Sequence, residues 1–178
     1  MGKRSNFERV ERDFYPTPYK AVEPLIQHLP KKQFAFAEPC AGDGALVDHI
    51  ETMTNGWCSW ASDLEPQDKG ILTRHFREIN MSDLYEADYI ITNPPWNREL
   101  LHPMIDYFTA YRPTWLLFDA DWAHTKQSVP YMRMLKKIVS IGRVKWIEDS
   151  KSVGKDNCCW YLFDRVSSNN TKFYGRMK

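Results

Sequence analysis

The chain has 178 residues, of which 43% are hydrophobic and 26% charged, values that are ordinary for a soluble globular protein. This length is enough for a proper core, and we expect one domain over residues 1–178. No apolar run approaches the roughly 20 residues of a membrane span, and the N-terminus lacks the apolar stretch of a signal peptide. We therefore expect no membrane contact and a cytoplasmic location.

Charge is unevenly distributed along the chain. Residues 1–100 carry eleven Lys/Arg and sixteen Asp/Glu, whereas residues 101–178 carry thirteen and seven, so the net charges are −5 and +6. A basic C-terminal half can face phosphate groups, although scattered solvated lysines would give the same balance. The four cysteines lack CxxC spacing, so we expect free thiols and no bound metal.

The order of the predicted elements indicates an α/β domain. A polar, flexible arm is predicted over residues 1–12, and Thr17 is a candidate N-cap for the helix that follows. Strands are predicted at 34–38, 57–62, 75–80, 89–92 and 114–118, helices near 18–29, 46–53, 100–108 and 129–137, an antiparallel hairpin over 138–147 and 158–166, and a basic tail over 167–178. This alternation predicts a mostly parallel, seven-stranded sheet with helices on both faces.

A glycine-bearing turn, Pro39-Cys40-Ala41-Gly42-Asp43-Gly44, joins the first strand to the next helix. Glycines let the backbone approach a ligand closely, and the N–H groups of the helix N-terminus favour a polar or anionic ligand group. The turn lacks the third glycine of a dinucleotide fingerprint and the Lys-Ser/Thr of a phosphate-binding loop. Because Asp43 would repel a pyrophosphate, a ligand with a cationic group fits better. Many such turns carry glycines for geometry alone.

Acidic residues follow several other predicted strands. Asp63 ends the second strand about 20 residues after the glycine turn, where a nucleoside ribose is held through its hydroxyls, although a turn role is the alternative. Asp83 follows the predicted third strand and either lines the same crevice or caps a turn. The run Asp119 to Trp122 ends the fifth strand. Because ligands bind beyond the carboxyl ends of parallel strands, these residues are expected to converge.

The apolar strand Tyr89–Thr92 is followed by Asn93-Pro94-Pro95-Trp96. The two prolines fix φ and disfavour helix, so the chain leaves the strand as a stiff, extended turn. It offers an amide, backbone carbonyls and an indole, which together can hold a planar ring and accept hydrogen bonds from an amino group. The alternative is a proline-capped strand end with its Trp in the core.

These motifs resemble those of S-adenosylmethionine-dependent amino-methyltransferases that act on nucleic acid bases. Asn93-Pro94-Pro95-Trp96 looks like their catalytic motif, the run from Glu38 to Gly44 like their cofactor loop, and Tyr15-Pro16-Thr17-Pro18 like the segment that closes over the cofactor. The run from Gly154 to Phe163 is similar to the end of small phage-encoded DNA adenine methyltransferases. The resemblance covers residues 13–166 and implies a Rossmann-like methyltransferase fold.

The resemblance implies methyl transfer from S-adenosylmethionine to the N6 amino group of adenine in DNA. The catalytic residues would be Asn93, Pro94, Pro95 and Trp96. The cofactor would be bound by Tyr15, Thr17, Glu38, Pro39, Cys40, Ala41, Gly42, Asp43, Gly44, Asp63, Leu64, Asp83, Leu84 and Asn93. Among these, Asp63 would hold the ribose, Asp83 the adenine amino group, and Tyr15 and Thr17 the methionine end.

Only residues 120–137 separate the fifth strand from the hairpin, too few for the separate target-recognition domain of large members. Nucleic acid, with DNA first, is the expected partner, and sequence readout would come from short loops or from a partner subunit such as a second copy. The hairpin loop and the basic tail are candidates for backbone contact. Open alternatives are methylation of adenine in RNA, of cytosine N4 or of a protein glutamine. A non-catalytic nucleotide-binding protein is a further alternative.

Overall fold

The computed structural model describes residues 15–147, 153–166 and 170–177; the predicted arm over residues 1–12 lies outside them. The helices are α1 (Tyr19–Ile26), α2 (Ala45–Met53) and α3 (Arg98–Thr109). The strands are β1 (Phe34–Glu38), β2 (Gly56–Asp63), β3 (Leu72–Thr73), β4 (Tyr89–Thr92), β5 (Thr114–Asp119), β6 (Leu135–Arg143), β7 (Asn157–Phe163) and β8 (Lys172–Tyr174). Short 3-10 helices cover Phe76–Glu78, Ala120–His124 and Lys126–Tyr131. None of the helices in these ranges has the length and apolar character needed to cross a membrane.

The strands form one mixed sheet in the order β3-β2-β1-β4-β5-β7-β6-β8. The first five strands pair in parallel, β7 runs antiparallel to both β5 and β6, and β8 pairs in parallel with β6. The α/β fold and the C-terminal hairpin are thus confirmed, but the prediction of seven strands is wrong. Within the described residues the sheet has eight strands, because part of the predicted basic tail forms an edge strand.

The additional strand is anchored by contacts that its local sequence does not indicate. The Tyr174 ring lies 4.3 Å from the ring of His28, which follows α1, and the Thr171 hydroxyl donates to the Leu135 carbonyl at 2.8 Å. The exposed edge of β6 supplies the backbone partners, as unpaired strand edges commonly do. Residues 172–174 therefore belong to the sheet rather than to a free tail.

Two further element predictions are wrong. Residues 75–80 form no strand, because the Glu78 carboxylate accepts the His75 N–H and the His75 ring accepts the Arg77 N–H, which caps a 3-10 helix. The helix predicted over residues 129–137 is also absent. Its last residues instead pair with β7 from Leu135 onward, so tertiary strand pairing overrides the helical spacing of its apolar residues.

Helices cover both faces of the sheet, as predicted. The helices α1 and α2 pack on one face around Leu25, Ile50 and Trp115, and α3 packs on the other face around Ile105 and Phe118. The strands β1 and β5 are buried almost throughout, which explains why they read as continuous apolar runs rather than as alternating ones.

The topology brings several loops to one edge of the sheet. Because β1, β2, β4 and β5 are parallel, their carboxyl ends lie on the same side. The strand β7 runs opposite to β5, and β6 opposite to β7, so the hairpin turn after β6 lies at this edge as well. Neighbours β1 and β4 are far apart in sequence, and the strand order reverses between them, which is where open α/β sheets bind ligands.

Candidate active site

The backbone conformation of the turn after β1 requires its glycines. Gly42 and Gly44 have φ values of 57° and 87°, in the region that residues with a side chain avoid. Gly44 is the N-cap of α2 and offers no side chain to its N-terminus; instead, Asp43 Oδ1 accepts the N–H of Ala45 at 3.1 Å. The turn geometry alone therefore accounts for both glycines.

Asp63, at the end of β2, ties that strand to the glycine turn. One carboxylate oxygen accepts the N–H of Gly42 at 2.9 Å, and the other accepts the N–H of Glu65 at 2.8 Å. Burial raises the pKa of Asp63, and the backbone N–H groups of Gly42 and Leu64 lower it in part. Each oxygen keeps a further lone pair, so a ribose hydroxyl still has an acceptor here. Leu64, the next residue, is 53% exposed at the rim of the crevice.

Glu38, the last residue of β1, is a buried acid, and one of its carboxyl oxygens lacks a hydrogen-bond donor. Its side chain is 1% exposed, and Oε2 has no hydrogen-bond partner among the described residues. Burial raises the pKa of its carboxyl well above 4.5, and the nearby charges of Asp63 and Asp43 raise it further. Buried carboxylates are normally paired with a cation or a donor. A ligand ammonium group would supply both a donor and a positive charge, whereas a phosphate would add a further negative charge.

The neighbouring thiol does not add a nucleophile. Burial, followed by the Asp63 charge, raises the pKa of Cys40 far above its usual value, so this thiol is neutral at physiological pH. All four cysteines are free thiols. Within residues 15–147, 153–166 and 170–177, no group of three or more His, Cys, Asp or Glu side chains is arranged to hold a metal ion.

Asn93 leaves β4 at the switch point with its amide contacted on both sides. The Trp96 indole Nε1 donates to Asn93 Oδ1 at 3.3 Å, and Asn93 Nδ2 donates to the Thr17 hydroxyl at 3.2 Å. Thr17 was a candidate N-cap, but the N-cap of α1 is Pro18, with no side-chain cap. The structure thus brings the N-terminal segment, expected at the methionine end of a cofactor, directly to Asn93.

Trp96 is half-buried and faces an aromatic residue that sequence reasoning missed. The Trp146 ring, on the loop after β6, lies 5.7 Å from the Trp96 ring in an edge-on arrangement, and Tyr15 lies 6.4 Å from Trp146. The Gly154 N–H donates to the Val144 carbonyl at 2.8 Å. Trp146 was predicted within the strand over residues 138–147, but β6 ends at Arg143, and no local pattern marked Trp146 as facing Asn93-Pro94-Pro95-Trp96.

Asp83 and Leu84 are placed apart from this cluster. Asp83 Oδ2 accepts the Asn80 N–H at 2.9 Å, which is the turn-capping role named as its alternative. Leu84 is fully buried in the core beside α3. Among the described residues, no hydrogen bond or ring contact links Asp83 to the glycine turn or to Asn93, so its adenine role stays a prediction.

The residues from Asp119 to Trp122 are not all placed at the edge of the sheet. Asp119 is half-buried at the carboxyl edge, and burial raises its pKa. Trp122, expected at the rim, is 1% exposed and belongs to the core, where its indole donates to His102 Nε2 at 2.9 Å. His124 is exposed on the 3-10 helix that follows.

No protein-family model matches the sequence, and no curated protein matches it. Several solved structures share the fold. A protein from Pyrococcus horikoshii, provisionally assigned as an RNA methyltransferase, superposes with a TM-score of 0.58 at 14% identity, over 90% of this chain and 92% of that one. A chain of a type I R-M system gives 0.57 at 14% identity, over 94% of this chain and 46% of that one. The 23S rRNA methyltransferase ErmE gives 0.54 at 10% identity, over 88% and 72%.

The chain therefore shares its fold with these structures. At these identities the similarity concerns the arrangement of helices and strands. The present chain spans about half the length of the R-M chain it matches.

Proposed function

We propose that this protein transfers a methyl group from S-adenosylmethionine to the N6 amino group of adenine in DNA. The observation that carries the proposal is the position of Asn93-Pro94-Pro95-Trp96. This motif leaves β4 at the switch point of a methyltransferase fold, beside the glycine turn that follows β1. The resemblance of both motifs to those of amino-methyltransferases supports the same assignment.

The glycine turn and its neighbours fit the proposed cofactor. Glu38 and Asp43 would hold its ammonium group, since the buried Glu38 oxygen has no partner in the part of the chain that the structure describes. Asp63 would hold the ribose beside the exposed Leu64, and the segment that begins at Tyr15 would cover the methionine end, with the Thr17 hydroxyl turned toward Asn93. When bound, S-adenosylmethionine would supply an electrophilic methyl group on its sulfonium sulfur.

Asn93 and Pro94 would prepare the nucleophile. The lone pair of an exocyclic amino nitrogen is delocalised into the base and is therefore a weak nucleophile. If Asn93 Oδ1 and the Pro94 carbonyl each accept one amino hydrogen, the nitrogen becomes more tetrahedral and its lone pair is freed. The freed lone pair would then be directed at the methyl group that the cofactor supplies, and the amino nitrogen would give up one proton to solvent. Positioning of this kind can supply much of a rate enhancement.

The aromatic side chains would hold the base. Trp96 offers a face on which a base can stack, an interaction worth roughly 1–3 kcal/mol, and Trp146 lies against Trp96 from the hairpin loop. An adenine in a duplex would have to flip out of the stack to reach this edge of the sheet. Exposed Arg143, Lys145 and Lys155 on the same hairpin would contact the phosphate backbone.

RNA adenine is the second candidate. Two of the similar structures are named as RNA or rRNA methyltransferases, and the amino group of adenine is the same in RNA and in DNA. Sequence readout would come from the hairpin loop or from a partner subunit, and a homodimer is one arrangement that would extend the substrate surface.

The test is transfer of labelled methyl groups from S-adenosylmethionine to DNA, RNA and protein, followed by analysis of the modified nucleoside. We expect N6-methyladenine in DNA, and no transfer by Asn93→Ala. The matched control is Asn55→Ala, because the Asn55 side chain donates to the Lys31 carbonyl in the loop ahead of β1, at the opposite edge. This control should retain full transfer. Absence of label in every nucleic acid would overturn the proposal, and label in RNA alone would replace DNA with RNA.

A further inference from the structure

The Asn93 amide has one chemically permitted orientation in this site. An indole N–H can donate a hydrogen bond but cannot accept one. The Asn93 atom that faces Trp96 Nε1 at 3.3 Å must therefore be the oxygen. The amide nitrogen then faces Thr17, whose hydroxyl accepts at 3.2 Å. The oxygen and nitrogen of an amide are normally distinguished by such partners alone.

We propose that Thr17 and the indole N–H of Trp96 act as a clamp that orients the Asn93 amide for methyl transfer. This inference rests on the proposed function and names two positioning interactions within it. An amide turned by 180° would present its N–H₂ to the substrate amino group, and two donors would then face each other. In the observed orientation Oδ1 has two lone pairs, one for the indole and one for the substrate amino hydrogen.

The surroundings of Thr17 suit this role. Thr17 is 5% exposed and lies between Pro16 and Pro18, which restrict the backbone on both sides. Its hydroxyl does not cap α1. The hydroxyl is therefore held beside Asn93 by a stiff segment and is free of a competing role in the helix.

The clamp also gives a reason for tryptophan at position 96. Phenylalanine and tyrosine offer a flat face for stacking, but neither carries an N–H at the edge of the ring. With either residue, Thr17 alone would remain to orient the amide, and a hydroxyl can donate or accept with equal ease. Stacking on the base and orientation of Asn93 are thus separable functions of one side chain.

The test uses variants of Thr17 that keep its shape or its hydroxyl. Thr17→Val removes the hydroxyl from a nearly identical volume, and we expect kcat to fall about five- to tenfold, with the KM for nucleic acid and the Kd for S-adenosylmethionine within about twofold of wild type. Thr17→Ser restores the hydroxyl, and kcat should return to within about threefold of wild type. Thermal unfolding of all variants establishes that they fold.

A second arm uses Trp96→Phe. Alone it should lower kcat, and combined with Thr17→Val it should lower kcat by less than the product of the two single effects, because both changes release the same amide. A Thr17→Val variant with wild-type kcat would overturn the clamp. So would a loss confined to cofactor affinity, which would place Thr17 at the methionine end instead. A wild-type protein without transfer activity would overturn the proposed function itself.

Discussion

Replacing Glu38 with glutamine tests how the buried carboxyl group at the end of β1 serves the cofactor. The substitution keeps the shape of a side chain that is 1% exposed and removes its charge. Glu38 lies close to Asp63 and Asp43, and burial together with these two charges raises the pKa of its carboxyl well above 4.5. The protein without cofactor and the protein with cofactor should therefore respond in opposite directions.

Without cofactor, the variant should be at least as stable as wild type at about pH 8. A raised pKa means that the folded state binds the Glu38 proton more tightly than the unfolded state does. This contribution to stability is fully present below 4.5 and is lost as the pH rises through the folded-state pKa. Glutamine does not titrate, so the decline in wild-type stability with rising pH should be smaller in the variant. Thermal unfolding across this pH range measures the difference.

With cofactor, the same change should weaken binding. A hydrogen bond between an ammonium group and a carboxylate contributes about 1.5–3 kcal/mol, so its loss predicts an affinity for S-adenosylmethionine about 10- to 150-fold lower by titration calorimetry. The analogue 5′-methylthioadenosine lacks the amino-acid group, so its affinity should be unchanged in Glu38→Gln.

Glu23→Gln is the control, because Glu23 is exposed on α1. Unchanged affinity of Glu38→Gln for S-adenosylmethionine would refute the assignment of Glu38 to the ammonium group. An equal loss for 5′-methylthioadenosine would also refute it, because a general disturbance of the turn would then explain both results.

Two further changes test other contacts. Asp63→Ala removes the acceptor of the Gly42 and Glu65 N–H groups, so we expect the free energy of unfolding to fall by about 1–3 kcal/mol. Calorimetry should also show weaker cofactor binding, and an unchanged affinity would remove the ribose assignment. Arg112→Ala removes guanidinium donors to the carbonyls of Leu84 and Ala87, so we expect a loss of about 2 kcal/mol and a Tm lower by roughly 4–8 °C, with methyl transfer per folded molecule unchanged. A wild-type Tm would show that Arg112 does not stabilise this turn.

Local sequence determined the parts of the fold that depend on neighbouring residues. Both faces of β1 are covered, and its first four residues, 34–37, are apolar, a composition that by itself predicts a buried strand. The glycine turn was predictable because positive φ values at Gly42 and Gly44 leave little choice of residue. The prolines after Asn93 likewise predict an extended exit from β4. Strand ends in a parallel sheet then place these motifs at one edge.

Tertiary structure decided the features that depend on distant residues. Thr17 and Asn93 are 76 positions apart, and nothing local distinguishes a hydroxyl that caps a helix from one that accepts an amide. Trp96 and Trp122 both follow strands that end at the carboxyl edge, yet only the packing against α3 draws Trp122 into the core. The edge strand Lys172–Tyr174 depends on the open side of β6. Periodicity and turn chemistry determine the local conformation of the backbone, whereas these contacts depend on how distant segments of the chain pack against each other.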